Sequence, residues 1–420
     1  MDLEDQIYER VANQMHLQNS EGSFRAGMRP ASNQDYDRYL KARYMEVNQQ
    51  DPKDLETATG LYQDAINIDG QSFSLAHVGL ARCYWLRFQL AKDSKFLQQA
   101  TVAAQQAVQL DDDSPEAHAV LSEVYKSAKN KEKSLAELNR AAELAPNSDA
   151  AYRDLGDAYS ENHNDKESVS AYQKAVSMNP YYWLNHTALG NAYLGLGDYA
   201  KALPEFQNVI EIAPENPMGY ESVGSVYLRQ DKWEKAISQY QKSLALAPNA
   251  VTYSNLGTAY FFMKNYDQAT KTYERAVQIN ASQNEELWGN LGDAYRSLGQ
   301  AEKARAAYKK AIGIAKMNPA AQSAAPVLGD LALYYAKIGD QTQAVQHIRL
   351  ARAKSPGDVQ IIYTEGQVYV LLGQTTKAIS AYRQAVAKGY VRQELWNDPE
   401  NARLQSVPEF VELCRTSLAR

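Results

Sequence analysis

The side chains that most often carry chemistry are few and scattered along the chain. The six histidines occupy positions 16, 77, 118, 163, 186 and 347. None of them belongs to a His-Glu-x-x-His pattern, and none stands with a cysteine at the spacing of a zinc site. The sequence also has no Gly-x-Ser-x-Gly nucleophile motif, no Walker-type phosphate loop and no kinase Asp-Phe-Gly set. We therefore predict a protein that is not an enzyme and that needs no metal or cofactor.

The sequence contains a five-residue motif that recurs about every 34 residues, and this motif is called the phrase below. The phrase first reads Leu155-Gly156-Asp157-Ala158-Tyr159, and its glycine recurs at positions 190, 224, 257 and 292. Tyr152 precedes Leu155 by three residues, which places both on one face of a helix. A second segment, residues 169–176, has the same helical period. A fixed period filled by two amphipathic helices predicts a stack of helix pairs.

This pattern resembles the tetratricopeptide repeat, in which large-x-x-Leu-Gly-x-x-Tyr is followed by alanine, an aromatic residue, alanine and proline. The resemblance implies an all-α, right-handed superhelical solenoid. Weaker copies extend it in both directions, so we expect about ten helix pairs over residues 33–388, of which the first two are degenerate. Glycine and alanine are expected where helices cross, because helices approach closely only beside small residues.

The two ends of the chain leave the repeat pattern. Residues 1–32 contain a stripe of Leu3, Ile7, Val11 and Met15, which predicts one amphipathic helix and a linker. This helix either packs on the first repeat or leads from an upstream domain. Residues 389–420 carry apolar residues that suit a C-terminal cap over the last pair.

The resemblance also identifies a candidate binding surface. In tetratricopeptide arrays the first helix of each pair lines a concave groove, with repeat positions 2, 5, 6, 9, 12 and 13 facing it. Carried over to this sequence, those positions hold Arg153, Asp157, Thr187, Asn191, Glu221, Ser225, Arg229, Asn255, Thr258, Phe261, Asn290, Asp293 and Arg296. Amides and mixed charges suit an extended peptide backbone, which has alternating donors and acceptors. An ordinary solvated helix face is the alternative for each residue taken singly.

The best-known peptide mode of the family clamps a terminal carboxylate with lysine or arginine and asparagine from neighbouring repeats. Asn191 stands at a suitable position, but Thr187 replaces the expected lysine and Glu221 adds a negative charge. We therefore do not expect that mode here. Asn255 and Asn290 indicate at most a partial asparagine ladder along the groove.

Composition excludes several classes of partner. The net charge of −6 argues against a nucleic acid, whose phosphates attract basic surfaces. No segment reaches 18 consecutive apolar residues, so we expect no membrane insertion by this segment. Cys83 and Cys414 lie far apart along the solenoid, and no disulfide between them is expected. The compartment, cytoplasm or periplasm, is left open.

The sequence thus predicts a non-enzymatic protein–protein interaction scaffold that binds a peptide or a helix of a partner in its concave groove. The alternative is a sensor or regulatory region of a larger bacterial signalling enzyme or transcription regulator. The chain ends, residues 3–11, 39–44 and 398–410, resemble the repeat-bearing C-terminal regions of such proteins, which implies an attached domain in a longer parent chain. Self-assembly through the ends of the solenoid is a third hypothesis.

Overall fold

Many helices of this protein begin at a side chain that accepts a hydrogen bond from a free backbone N–H group of the first turn. Ser148 Oγ accepts from the N–H of Ala151 at 3.2 Å, and Asn249 Oδ1 accepts from the N–H of Thr252 at 2.8 Å. Pro217 stands at the start of another helix, where the missing N–H costs nothing. Side-chain caps also begin the helices at Pro115, Glu285 and Val359.

The computed structural model describes residues 33–48, 51–68, 73–280, 284–317 and 323–415. The helices in chain order are α1 (Asn33–Val47), α2 (Pro52–Ile68), α3 (Ser74–Ala91), α4 (Ser94–Leu110), α5 (Pro115–Ser127), α6 (Lys131–Leu144), α7 (Asp149–Glu161), α8 (Asp165–Met178), α9 (Trp183–Gly195), α10 (Tyr199–Ile212), α11 (Pro217–Arg229), α12 (Trp233–Leu246), α13 (Ala250–Phe262), α14 (Tyr266–Ile279), α15 (Glu285–Ser297), α16 (Ala301–Met317), α17 (Ala325–Ile338), α18 (Gln341–Lys354), α19 (Val359–Leu371), α20 (Thr375–Ala387), α21 (Arg392–Asn397) and α22 (Pro408–Arg415), with a 3-10 helix at Pro399–Leu404 between the last two.

These helices confirm the predicted all-α class. Helices α1 to α20 are ten consecutive pairs, and no strand occurs in the ranges that the structure describes. The helix expected within residues 1–32 lies outside the described residues. The chain divides into two compact units, Met1–Asp198 and Tyr199–Arg420, and within each unit the helices of a pair pack on each other and on the next pair.

The glycine of the repeated phrase is explained by a tyrosine of the following helix. A Cβ built on Gly156 would lie 2.5 Å from Cε1 of Tyr172, and one built on Gly292 would lie 2.5 Å from Cε1 of Tyr308. Real Cβ atoms do not approach a ring carbon so closely, so only glycine lets the two helices of the pair come together here. The glycines at positions 224, 257 and 366 lie under tyrosines in the same way.

Successive pairs are joined by a recurrent hydrogen bond between an amide and a tyrosine. Gln173 Nε2 on α8 donates to the Tyr193 hydroxyl on α9 at 2.8 Å, and Gln241 Nε2 on α12 donates to the Tyr260 hydroxyl on α13 at 3.3 Å. The Tyr159 hydroxyl donates to Asn139 Oδ1 at 2.9 Å in the same arrangement. The phrase tyrosine therefore fixes one pair against the next with a polar contact.

The residues after α20 fold back over the last pair. Leu395, Leu404 and Phe410 come from α21, the 3-10 helix and α22, and all three are buried in one cluster with Tyr382 of α20. The apolar ends of the last helices are thereby covered, as the core of a repeat stack requires at its ends.

Candidate functional site

Four of the predicted groove residues line one cavity in the Met1–Asp198 unit. The cavity has a volume of about 670 Å³ and lies between the pair α7–α8 and helix α9. Its lining residues are Arg153, Asp157, Ser160, His163, Asp165, Ser168, Tyr172, Leu184, Thr187, Ala188, Asn191, Ala192, Gly195 and Leu196. The repeat spacing places Arg153 and Asp157 one turn apart on α7, and Thr187 and Asn191 one turn apart on α9, so both pairs of side chains share a helix face.

The cavity has two chemically different walls. Helix α9 contributes small and apolar side chains, including Leu184, Ala188 and Ala192, which recur at helical spacing. Helix α7 and the start of α8 contribute charged and hydroxyl side chains, among them Asp157 and Asp165. Such a surface can bury an apolar side chain on one wall and hydrogen-bond a peptide backbone on the other.

Arg153 is held in place by its neighbours. Its Nη1 donates to Oδ1 of Asn185 at 2.9 Å, and its Cζ lies 5.4 Å from the centre of the Tyr182 ring. Asn185 is fully buried and in turn donates to Oδ2 of Asp149 at 2.8 Å. A guanidinium has five N–H donors, so Arg153 retains donors for a ligand while its orientation is already fixed.

Asp157 is held by a hydrogen bond from Tyr172, the tyrosine that packs against the phrase glycine Gly156. The Tyr172 hydroxyl donates to Oδ1 of Asp157 at 2.5 Å. Burial raises the pKa of Tyr172, and the Asp157 carboxylate adds to the rise, so this tyrosine remains a neutral donor. The Asp157 side chain is otherwise exposed to the cavity and can accept further hydrogen bonds.

The two α9 residues of the predicted set differ in availability. Thr187 is buried, and its Oγ1 donates to the carbonyl of Trp183 at 3.0 Å, so its hydroxyl proton is used within the helix. Asn191 is exposed and makes no hydrogen bond to another residue that the structure describes. Asn191 therefore offers both its amide donors and its carbonyl to a ligand.

In the Tyr199–Arg420 unit, several predicted groove residues are bonded within the fold. Glu221 Oε2 accepts from Thr252 Oγ1 at 2.7 Å, and the Ser225 Oγ accepts from the Tyr240 hydroxyl at 3.2 Å. The Thr258 and Tyr273 hydroxyls lie 3.0 Å apart. In these two repeats the residue after the phrase glycine is thus a partner of the tyrosine that covers that glycine.

Other members of the predicted set in this unit are more accessible. Arg229 is exposed, whereas Asn255 and Asn290 are half-buried and have no hydrogen-bond partner among the described residues. Phe261 makes an edge contact with Tyr266, with ring centres 5.3 Å apart. The partial asparagine ladder expected from the sequence therefore consists of only two side chains, Asn255 and Asn290, one in each of two repeats.

The last two predicted residues, Asp293 and Arg296, both form charged interactions within the fold. Asp293 Oδ1 accepts from the Tyr308 hydroxyl at 2.6 Å and from Lys337 Nζ at 2.5 Å. Arg296 pairs with Glu400, a residue of the C-terminal segment. Sequence reasoning did not anticipate Lys337 or Glu400.

Two further residues at groove positions were missed. Tyr363 and Gln367 on α19 stand in the same register as Arg153 and Asp157 on α7, and both donate hydrogen bonds to Asp398. Extending the position rule to the last repeat would have found Tyr363 and Gln367. No local pattern would have found Asp398, because it lies outside the repeats.

The described parts of the chain contain no group of three histidine, cysteine, aspartate or glutamate side chains placed to hold a metal ion. In the same ranges, no helix is long and apolar enough to cross a membrane. Cys83 and Cys414 are both free thiols.

The chain is similar to several solved structures. A MamA fragment from Desulfovibrio magneticus RS-1 is 20% identical, with 40% of this chain and 96% of that chain covered and a TM-score of 0.37. YrrB, a TPR protein described as having an unusual peptide-binding site, is 21% identical over 43% of this chain and 93% of its own, with a TM-score of 0.35. The Cut9-Hcn1 hetero-tetramer of the APC/C is 14% identical over 99% of this chain and 81% of its own, with a TM-score of 0.48.

Among curated proteins, none matches the sequence. Two family models described as tetratricopeptide repeat do match. One matches residues 183–249, 218–282 and 283–355, and the other matches residues 115–148, 150–182 and 359–387. Together these matches cover more than half of the chain. With the stacked helix pairs and the glycine–tyrosine contacts described above, they establish that the chain belongs to the tetratricopeptide repeat family.

Proposed function

We propose that this chain is a non-enzymatic scaffold that binds a peptide or a helix of a partner protein along its concave face. Membership of the tetratricopeptide repeat family supports a protein-interaction role, and the cavity between α7, α8 and α9 supports a specific place for it. The observation that carries the proposal is Asn191. It is an exposed amide with no hydrogen-bond partner among the described residues, and it lines the same cavity as the oriented Arg153 and the apolar side chains of α9.

The chemistry of the cavity favours a particular kind of ligand. Asn191 can pair with one peptide group of an extended segment, and Arg153 and Asp157 can pair with groups on either side of it. Leu184 and Leu196 provide apolar area for one side chain of the segment. Because Arg153 and Asp157 are already oriented by hydrogen bonds within the fold, the receptor loses little conformational entropy on binding.

A blocking substitution tests the proposed place of binding. Peptides would be selected from a displayed random library on the immobilised full chain, and their dissociation constants would be measured by fluorescence anisotropy. Asn191→Trp should fill the cavity and weaken the selected peptides at least about tenfold, a loss of about 1.4 kcal/mol. Ser170→Trp is the matched control, because Ser170 is exposed on α8 and does not line the cavity.

Equal binding by the two tryptophan variants would contradict the proposal, provided that both keep the helicity of the parent chain. A second variant, with Asn191, Asn255 and Asn290 all changed to alanine, tests the amides of both units together. Unchanged peptide affinity in that variant would remove the groove amides as binding groups.

The regulatory alternative concerns the parent protein rather than the cavity. An attached domain would itself be the partner whose activity the array controls. A kinase, cyclase or winged-helix domain encoded upstream of Met1 in the parent gene would favour this alternative over a free-standing scaffold.

A further inference from the structure

The C-terminal segment does more than cover the apolar end of the last helix pair. Leu395, Leu404 and Phe410 are buried against that pair. Residues Asp398–Asn401 lie between Leu395 and Leu404, and the three polar side chains among them contact helices of the repeats. A cap needs contacts with the last pair, α19 and α20, whereas this segment also reaches α15, which belongs to the pair two before it.

Both carboxylate oxygens of Asp398 accept hydrogen bonds, as those of a bound acidic peptide would. Its Oδ2 accepts hydrogen bonds from the Tyr363 hydroxyl and, at 2.8 Å, from Gln367 Nε2. Its Oδ1 accepts from the N–H of Glu400 at 2.8 Å, which fixes the start of the 3-10 helix. Both carboxylate oxygens are thereby satisfied by neutral donors.

The next two residues continue the same interaction. Glu400 forms an ion pair with Arg296, and only 16% of the Glu400 side chain is exposed. Asn401 is fully buried and accepts from the Tyr382 hydroxyl at 2.6 Å. The segment therefore places two carboxylates and one amide against a face of the repeats that carries one arginine and several neutral donors.

The face that receives the segment is the one expected to bind partners. Tyr363 lies three residues before the phrase glycine of its repeat, and Gln367 lies one residue after it. These are the positions of Arg153 and Asp157 in the repeat that lines the cavity of the other unit. Arg296 was itself predicted as a groove residue from its repeat position.

We propose that Asp398–Asn401 is an internal ligand of the concave face of the Tyr199–Arg420 unit, and that an acidic segment of a partner protein displaces it to reach Arg296, Tyr363 and Gln367. The groove of this unit is then closed in the free protein. A partner must supply carboxylates that replace those of Asp398 and Glu400. This regulated site is separate from the cavity at Asn191, so either proposal can fail without the other.

Competition by a synthetic peptide tests the internal ligand. The probe is a fluorescein-labelled peptide of residues 396–405, added to the full chain and followed by anisotropy. In the variant Asp398→Asn with Glu400→Gln, the segment loses its two carboxylates, and the peptide should bind at least tenfold more tightly than to the parent chain. Adding Arg296→Gln and Gln367→Ala to that variant should abolish the gain, because the receiving side chains are then gone.

The native thiol Cys414 gives an independent readout of whether the segment is released. Cys414 lies on α22 and is half-buried, whereas Cys83 is fully buried, and burial raises the pKa of Cys83 to about 12. Thiol-reagent labelling of Cys414 should therefore accelerate several-fold in the double variant. If the double variant melts at a much lower temperature than the parent chain, Glu400→Gln alone is used instead, and its labelling should also accelerate. Labelling at the parental rate would overturn the proposal. Peptide binding that is equal in the parent and the carboxylate-free variant would also overturn it and leave the segment as a permanent cap.

Discussion

The ring of Tyr172 occupies the space that a side chain on Gly156 would need, and its hydroxyl donates to Asp157, the next residue along the chain. One tyrosine therefore joins the two helices of a pair by a close apolar contact and orients the side chain of a predicted groove residue. The same relationship recurs between Tyr308, Gly292 and Asp293. Packing of the pair and the orientation of these predicted groove residues thus depend on the same tyrosine.

Gly156→Ala tests the close contact. The added methyl group would meet the Tyr172 ring, and we expect a loss of about 1–3 kcal/mol in the free energy of unfolding. Gly313→Ala is the matched control, because Gly313 lies within α16 with no atom within 4 Å of a built Cβ. Its substitution should raise stability by about 0.5–1 kcal/mol, since alanine has the higher helix propensity. Urea unfolding followed by circular dichroism measures both, and a stable Gly156→Ala variant would show that the glycine is not required.

Tyr308→Phe tests the hydroxyl that holds Asp293. The change leaves the ring in place and removes one of two donors from a carboxylate, so we expect a loss of about 1.5–3 kcal/mol in unfolding free energy. Tyr240→Phe is the comparison, because its partner is the neutral Ser225 hydroxyl at 3.2 Å, and its loss should be about 0.5–1.5 kcal/mol. Equal losses in the two variants would contradict the view that the charge on Asp293 strengthens its bond.

Lys264→Gly tests the turn between the helices of a pair. Lys264 has a φ of 60°, in the left-handed region that costs side chains about 1–2 kcal/mol, whereas Gly299 stands at the equivalent turn with a φ of 71°. We expect Lys264→Gly to raise the free energy of unfolding by about 1 kcal/mol and Gly299→Ala to lower it by a similar amount. Thermal melting of both variants provides the measurement. A Lys264→Gly variant less stable than the parent would indicate that the lysine side chain has an additional role.

Asp330 should make the stability of the protein depend on pH. Burial raises the pKa of Asp330 to about 7, with Glu286 and Glu285 adding to the rise and Lys337 opposing it. The pKa of an aspartate in the unfolded chain is about 3.9, so between pH 3.9 and pH 7 the folded state binds more protons than the unfolded state. The stabilising contribution of protonated Asp330 is complete below about pH 4 and is lost as the pH rises through about 7.

The measurement for Asp330 is the melting temperature at pH 5 and at pH 8. Asp330→Asn cannot ionise, so the variant should gain stability relative to the parent chain as the pH rises between these values. Asp267→Asn removes an exposed charge on α14 and serves as the control. A difference between Asp330→Asn and the parent that stays constant with pH would contradict the raised pKa.

Much of the fold follows from the sequence because the contacts that define a repeat are short in range. The phrase glycine and its covering tyrosine are separated by only 16 residues in the chain, as Gly156 and Tyr172 show. Their spacing, the helix caps and the helical period all lie within one repeat. The order and pairing of the described repeat helices could therefore be predicted from the sequence, since each pair encodes its own packing.

Which of the predicted groove residues are bonded within the fold depends on the packed structure. Asp157 and Asn191 occupy the same repeat position, yet Asp157 is bonded to a tyrosine and Asn191 is not. The pairing of Arg296 with Glu400 joins residues 104 positions apart, and neither residue carries a local signal for the other. Such contacts depend on how several pairs stack and where the chain returns over them. Repeat position identifies a candidate surface, but only the packed structure shows that part of this surface is already covered by the chain itself.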